Sequence, residues 1–295
     1  MILVQSLLGS TQLPFYLECL KSLANMSVEN LTFLFHTDGS ISDQKKLSIK
    51  EEFYPYDVQI TDPVTSKQKT SDYLKGFPNC QKMRNSSLWG IEFFDPLFAN
   101  NEDPFSFYVD ADILFLKPFT GLFDEKVLKG GGIFLRDTQW DAYSLRPWQL
   151  STRSIGRGPS VVKGITTALV FWDKQAIDWD YLEWFLGATH LHKIPEWIFP
   201  TAQAGLADRC KAKTVLSEQI TNLYPNAKIT KDTFGVHLFG SYRKKWLKKL
   251  DHFHSDKNLE SIPALTEFKP CERRGIISYS FRQIVRWKNT RLNLW

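Results

Sequence analysis

Residues 107–118, FYVDADILFLKP, limit the folds open to this chain more than any other stretch. The run of Phe105, Phe107, Tyr108 and Val109 reads as a strand buried on both faces, yet Asp110 and Asp112 interrupt it. Carboxylates this close raise each other's pKa, and burying them is costly unless a positive charge offsets it. A strand that ends at the aspartates resolves the conflict, because ligands of open α/β sheets bind in the crevice at the carboxyl ends of the strands. Side chains at i and i+2 of an extended segment point the same way. Asp110 and Asp112 can therefore converge on one divalent cation while Ala111 faces elsewhere.

A bare Asp-x-Asp is a weak signal, since a chain of this length holds on the order of one by chance. The second one, Asp178 to Asp180 in KQAIDWDYLEWFL, serves as a control. There Ile177, Tyr181, Leu182 and Phe185 recur at helical spacing, and aspartate suits a first turn. It reads as helix punctuation.

The surrounding pattern supplies the sheet. ILVQSLL, TQLPFYLECLKSLAN and LTFLFH read as strand, helix, strand, with Ser40 and Asp43 as a capping box for the next helix. KMRNSSLWGIEFFDPLF reads as one amphipathic helix feeding the aspartate strand, so the first half is expected to form a parallel sheet covered by helices. Residues 136–163 are rich in Ser, Gly, Pro, Arg and Trp, which marks a lid or acceptor loop. ITTALVFW resumes a strand, and DWDYLEWFLG and EWIFPTAQAGLADRC read as helices.

With 295 residues and 43% hydrophobic content, the chain can bury a substantial core. The opening MILVQSLLGS lacks a basic n-region and is too short to span a bilayer, and no other apolar run is long enough. Cys19, Cys80, Cys210 and Cys271 lack the paired spacing of a zinc site, so free thiols in a reducing, cytoplasmic setting are expected. Sequons at Asn25, Asn30 and Asn85 carry little weight without a secretion signal. A net charge of +5 does not by itself imply nucleic acid. Its distribution is more telling: YRKKWLKKL and FRQIVRWKNTRLNLW place Arg and Lys among Trp, Leu and Ile. Such segments either lie peripherally on the anionic inner face of a membrane or are solvated basic helices packing their aromatics on the core.

A strand ending in Asp-x-Asp after a βαβ opening resembles the nucleotide-sugar glycosyltransferases of the GT-A fold, whose aspartates bind Mn²⁺ or Mg²⁺. A second segment, HLFGSYRKKW, is similar to the His-x-x-Gly-x-x-Lys-Pro-Trp segment of the glycogenin-like (family 8-type) retaining glycosyltransferases. His237, Gly240 and Trp246 match, Arg243 stands at the lysine position and Lys245 replaces the proline. The resemblance implies a Rossmann-like, mixed but mainly parallel α/β sheet flanked by helices over residues 1–250. Its donor half covers about 1–120 and its acceptor half about 121–250, and residues 251–295 form a basic aromatic, helical extension. It also implies a metal held by Asp110, Asp112 and His237, with Asp110, Gly240, Arg243 and Lys244 against the donor diphosphate. Mn²⁺ takes oxygen donors and accepts one imidazole, which suits that set.

Further transfers from the resemblance are looser. Asp38 in TDGS is either a contact to the donor nucleobase or ribose, or part of a plain β-turn. Arg84 resembles an arginine that meets the donor. The family carries an Asp-Gln pair near the reacting carbon; TAQAGLAD offers Gln203 but has Ala202 where the aspartate would be. An inverting enzyme would need a carboxylate base instead, for which Asp137, Asp141 and Glu196 are candidates. Trp140 and Trp148 are candidates for stacking on acceptor sugars, whereas Trp172 and Trp184 are expected in the core. The implied activity is transfer of a sugar, with retention, from a UDP-sugar to a glycan or lipid-linked saccharide in polysaccharide biosynthesis. Two rivals stand beside it. A haloacid dehalogenase-type phosphatase also ends a strand in Asp-x-Asp, though near its N-terminus and with a later Gly-Asp-x-x-x-Asp that this chain lacks. An inactive sugar-nucleotide binder is favoured by Ala202.

Overall fold

Apolar runs alternate with amphipathic ones over the first 110 residues, and the chain folds accordingly. In the computed structural model, residues 1–100, 102–137, 143–150, 159–194, 197–224, 227–240, 243–250, 260–261, 265–271 and 274–291 are described. The first half runs β1 (Ile2–Leu8), α1 (Leu13–Met26), β2 (Leu31–Thr37), α2 (Asp43–Glu52), β3 (Val58–Thr61), α3 (Pro63–Tyr73), α4 (Pro78–Ser86), α5 (Leu88–Phe98) and β4 (Phe105–Val109). After the aspartates follow β5 (Ile113–Phe115), β6 (Phe119–Thr120), α6 (Glu125–Leu128), β7 (Gly132–Arg136), β8 (Ile165–Asp173), α7 (Trp179–Gly187) and α8 (Ile198–Arg209). The remainder comprises β9 (Lys213–Val215), β10 (Ile220–Asn222), β11 (Gly235–His237), α9 (Arg243–Leu250), β12 (Glu260–Ser261), β13 (Thr266–Glu267) and α10 (Ile276–Arg291).

The main sheet has the order β13-β9-β7-β8-β4-β1-β2-β3. Strands β3, β2, β1 and β4 are mutually parallel, as the βαβ pattern predicts. β8 then runs antiparallel between β4 and β7, β9 lies parallel to β7, and β13 closes the edge antiparallel to β9. All seven residues of β2 are buried, because helices cover both faces of the sheet. Alternation along the strands splits the core in two. Phe33, Phe35, Phe107 and Phe171 pack on one face, and Tyr108, Phe134, Val170 and Trp172 on the other. Each fully buried phenylalanine among them contributes about 2–3 kcal/mol.

Several local expectations are corrected. The cap of α2 is Ser42, whose hydroxyl accepts from Lys45 N; Ser40 instead donates to Asp38. The long helix before β4 is two helices, α4 and α5, divided at Ser87, which caps α5 by accepting from Gly90 N. Asp178 does punctuate a helix, accepting from Tyr181 N at the start of α7. Trp172 is in the core at 1% exposure, but Trp184 is 47% exposed on the outer face of α7. Within the extension from residue 251, β12 pairs with β6 and β13 with β9, so this part adds strands to the body. All four cysteines are free, and among the described residues no helix is long and apolar enough to cross a membrane.

Candidate functional site

Parallel pairing brings the carboxyl ends of β1, β2 and β4 to one edge, so Gly9, Asp38 and Asp110 follow neighbouring strands. Asp110 N donates to Ala168 O at 2.7 Å, extending the ladder with β8 by one residue before the chain turns into β5. β5 pairs antiparallel with β11 in a three-stranded sheet completed by β10, in a register that sets His237 opposite Ile113. Leu238 N also donates to Asp112 O at 2.9 Å. Backbone pairing thus carries a histidine from 125 residues downstream to the aspartates, and ligand atoms of Asp110, Asp112 and His237 lie within 4.8 Å of one another.

Neighbouring side chains orient each member. The Tyr108 hydroxyl donates to Asp110 Oδ1 at 2.8 Å. His237 Nε2 stands 3.2 Å from Asp112 Oδ1, while its Nδ1 is 2.7 Å from Asn222 Oδ1 on β10. Asn222 Nδ2 donates to Arg136 O at 2.8 Å, which fixes the amide with its oxygen toward the imidazole. Nδ1 therefore carries the proton, and Nε2 is left for Asp112 or a cation.

Burial, then the charge of Asp112, pushes the Asp110 carboxyl up to about 7. For Asp112 burial acts upward too, but His237 and Arg243 outweigh it and hold this carboxyl below the usual range. Burial would lower His237, yet Asp112 raises it overall. The cluster is short of positive charge at Asp110, and beyond the imidazole edge at 3.2 Å the buried Asp112 Oδ1 has no hydrogen-bond partner among the described residues. Two carboxylates and one imidazole whose ligand atoms converge within 4.8 Å fit a divalent cation such as Mn²⁺ or Mg²⁺.

Arg243, the first residue of α9, closes one side. Its Nη2 donates to Asp112 Oδ2 and its Nε to Leu238 O, both at 2.7 Å, and its Nη1 donates to Gln12 Oε1. The guanidinium plane lies over the Phe15 and Tyr16 rings, 4.5 and 5.4 Å from their centroids. Gly240, at φ +57, makes the left-handed turn that leads from β11 toward α9. Trp246 packs with Leu223, Val236 and Leu238 and so ties α9 to the small sheet. Lys244 is exposed beside Arg243.

A cleft of about 370 Å³ has Gly9, Tyr16, Asp38, Leu88, Asp110 and Asp112 in its wall. Asp38 lines this cleft, and its Oδ1 also accepts from Ser40 N at 2.8 Å in a local turn. Gly9 makes room for it, since a Cβ there would come within 2.4 Å of Asp38 Oδ2.

Other expected site residues are placed differently. Arg84, expected at the donor, is 4% exposed and forms a two-pronged pair with Asp95, at 2.9 and 2.8 Å, while donating to Pro63 O. It clamps α3, α4 and α5 together, so its charge is spent inside the fold. Gln203 is buried on α8 with Oε1 lacking a partner among the described residues, and it is not in the wall of the cleft. The Asp137 Oδ1 accepts from the Tyr224 hydroxyl at 2.8 Å. Trp148 is half-buried, edge-on to Tyr279 at 5.6 Å. Trp140, Asp141 and Glu196 lie outside the described residues.

Three residues escaped the sequence reading. Tyr108 is an alternate position of the aspartate strand, and its hydroxyl was readable only as core. Asn222 in ITNLYPN carries no signal. Glu92 is an acid in the apolar run GIEFF, a detectable anomaly. Burial, then the charge of Asp110, raises its carboxyl well above the usual range, with a Thr167 hydrogen bond opposing.

No protein-family model and no curated protein matches the sequence. Solved structures do match. The fold is similar to that of mouse xyloside xylosyltransferase 1 in its apo form, at 13% identity and a TM-score of 0.57, over 81% of this chain and 97% of that one. It is also similar to the galactosyltransferase LgtC in complex with donor and acceptor sugar analogs, at 12% identity and a TM-score of 0.51, over 81% and 88% of the two chains. An active-site mutant of LgtC matches at 11% identity with the same TM-score and coverage. The architecture of this chain is that of the GT-A glycosyltransferases.

Proposed function

We propose that the chain is a metal-dependent glycosyltransferase that moves a sugar from a nucleotide diphosphate donor, a UDP-sugar, to a hydroxyl of a glycan or lipid-linked saccharide in polysaccharide biosynthesis. One observation carries this reading: Asp110, Asp112 and His237 converge at the carboxyl edge of a GT-A sheet, and the two aspartates share the wall of a cleft with Asp38. Asp110, Asp112 and His237 would hold Mn²⁺ or Mg²⁺, which when bound would supply Lewis-acid stabilisation of the charge developing on the leaving diphosphate, worth several kcal/mol. Tyr108 and Asn222 keep the ligand atoms aimed. Arg243 offers a planar fork beside Asp112, suited to phosphate oxygens, with Lys244 as a second cation. Among the described residues, its chain neighbours aside, no atom lies within 4 Å of where a Cβ of Gly240 would stand, which suits a close approach of that backbone to a phosphate. Asp38 takes the ribose or nucleobase.

Gln203 is the candidate at the reacting carbon. With Ala202 beside it in place of a carboxylate, the reading with retention has the departing phosphate oxygen take the acceptor's proton on the same face. Trp148 is the described candidate for acceptor stacking. The exposed apolar stripe of α10 (Ile277, Phe281, Ile284, Val285) fits peripheral contact with an anionic membrane, where lipid-linked acceptors lie. The phosphatase alternative requires Asp110 as a free nucleophile, whereas the Tyr108 hydroxyl engages its Oδ1.

Thermal unfolding with UDP, GDP, CDP and ADP, each with and without Mn²⁺, tests the reading. A ligand at 100 times its Kd adds about 2.7 kcal/mol, roughly a 5 °C rise for a domain this size. One diphosphate is expected to raise Tm only with metal, and no rise with any of them overturns the proposal. Transfer or hydrolysis of a radiolabelled donor sugar then separates the enzyme from an inactive binder.

A further inference from the structure

Glu92 is an acid with no place in the mechanism above. It lies on α5 four residues after Leu88, and residues so spaced share a helix face. Leu88 is in the wall of the cleft with Asp110 and Asp112. The Glu92 side chain meets the Thr167 hydroxyl of β8, and the next residue, Ala168, accepts from Asp110 N at 2.7 Å. Glu92 therefore lies one helical turn beyond Leu88 on the same face of α5, near the end of β4 that carries Asp110. Its Oε1 is buried and has no hydrogen-bond partner among the described residues. A neighbouring helix repeats the feature. Phe93 packs edge-on against Phe199 of α8, 5.9 Å between centroids, and Gln203 follows Phe199 by one turn with its own Oε1 buried and unpartnered.

Buried acceptors without donors are costly and call for a ligand that brings hydroxyls or N–H groups. A nucleotide sugar brings them in the ring attached to the diphosphate, the part that would lie next to a metal held by Asp110 and Asp112. We propose that Glu92 accepts hydrogen bonds from hydroxyls of the transferred sugar, and so selects the donor by its sugar rather than by its nucleotide. This rests on the nucleotide-sugar reading above. It also gives that subsite a carboxyl group although Ala202 supplies none. A site built to pair a particular hydroxyl rejects sugars that lack it or turn it elsewhere, because the buried partner is then left bare.

The test compares binding of UDP with binding of UDP-glucose, UDP-galactose and UDP-xylose, all with Mn²⁺, to the full chain and to Glu92→Ala and Glu92→Gln. The nucleotide is changed to GDP, with GDP-mannose, should GDP be the one that raises Tm. The wild type is expected to prefer one sugar nucleotide over the bare diphosphate or over its epimers. Glu92→Ala is expected to bind the bare diphosphate as the wild type does but to lose at least tenfold in that preference, with Glu92→Gln between them. An unchanged preference in the alanine variant overturns the proposal, as does an equal loss of sugar nucleotide and bare diphosphate, which would make Glu92 structural. If the alanine variant fails to fold, the glutamine variant is judged by the same ratio. A wild type that binds no nucleotide diphosphate refutes the parent reading and this one with it. A wild type that binds the diphosphate with no sugar preference refutes this one alone.

Discussion

At the scale of single residues, the site depends on side chains that touch no ligand. Asn222 is the clearest case: its carbonyl oxygen accepts a hydrogen bond from His237 Nδ1–H, and its own amide is anchored on Arg136 O. Removing such a partner of a metal-bound histidine costs about 10–100-fold in metal affinity. Asn222→Ala is therefore expected to weaken Mn²⁺ binding by that factor with little change in Tm of the metal-free protein, as calorimetric titration can check. Unaltered affinity would mean that the imidazole is held by its backbone alone. Asp110 and Asp112 were legible from their position at the end of an apolar strand. His237 was legible only through the spacing of a motif. Asn222 was not legible, because an asparagine in a short strand has the same pattern whether it faces solvent or a histidine. Arg84 shows the reverse error. A motif-like arginine beside a helix start says nothing of Asp95, eleven residues on, which holds it inside the fold.

Among the elements, those with strong periodicity were legible and those held by tertiary contacts were not. β1, α1, β2 and β4 follow from their apolar spacing. α3 (PVTSKQKTSDY) has almost no apolar face and is instead fastened by Ser66 and Thr70, whose hydroxyls donate to the Asp95 carboxylate. The break between α4 and α5 hides in an unremarkable Ser-Ser. α10 was legible as an amphipathic segment, and it turns Tyr279 inward to Arg146 and Trp148. Ile277, Phe281, Ile284 and Val285 recur at i, i+4, i+7 and i+8 and stay exposed, Ile277 at 87%. The same segment carries Arg282, Arg286, Lys288 and Arg291 in its sequence. An apolar stripe with basic neighbours binds anionic bilayers through buried area and charge together. Ile277→Asp combined with Phe281→Asp is thus expected to cut co-sedimentation with phosphatidylserine vesicles about tenfold or more while leaving Tm unchanged. Equal sedimentation of variant and wild type would return this helix to a purely solvated role.

For the whole molecule, the fold class was legible because strand and helix alternate at their own periods. The meeting of Asp112 with His237 was legible only as what the family resemblance implies, since the pairing of β5 with β11 that produces it spans 120 residues. The main sheet, for its part, buries polar groups with consequences for stability. His36, on β2, is 1% exposed between the helices and the sheet. Gln5 Nε2 donates to Pro96 O, so Gln5 Oε1 faces His36 Nε2 at 3.0 Å and the ring is held neutral with its proton there. Burial pushes the imidazole down to about 4, with the Asp95 charge opposing and the Arg84 charge adding to the shift. Above pH 6.5 the ring is neutral in both folded and unfolded chains and costs nothing. As pH falls from 6.5 toward 4, the unfolded chain takes up a proton that the fold refuses, so stability is lost through that window, by about 3 kcal/mol in all. Asp110 titrates in the same range with the opposite sign, because its folded value is raised. The comparison that isolates His36 is therefore wild type against His36→Gln, which keeps a donor for Gln5 and cannot titrate. In urea unfolding at pH 7 and pH 4, the stability of the variant relative to the wild type is expected to rise by about 3 kcal/mol at the lower pH. Parallel pH dependence in the two proteins would show that the histidine is protonated, and accommodated, inside the fold.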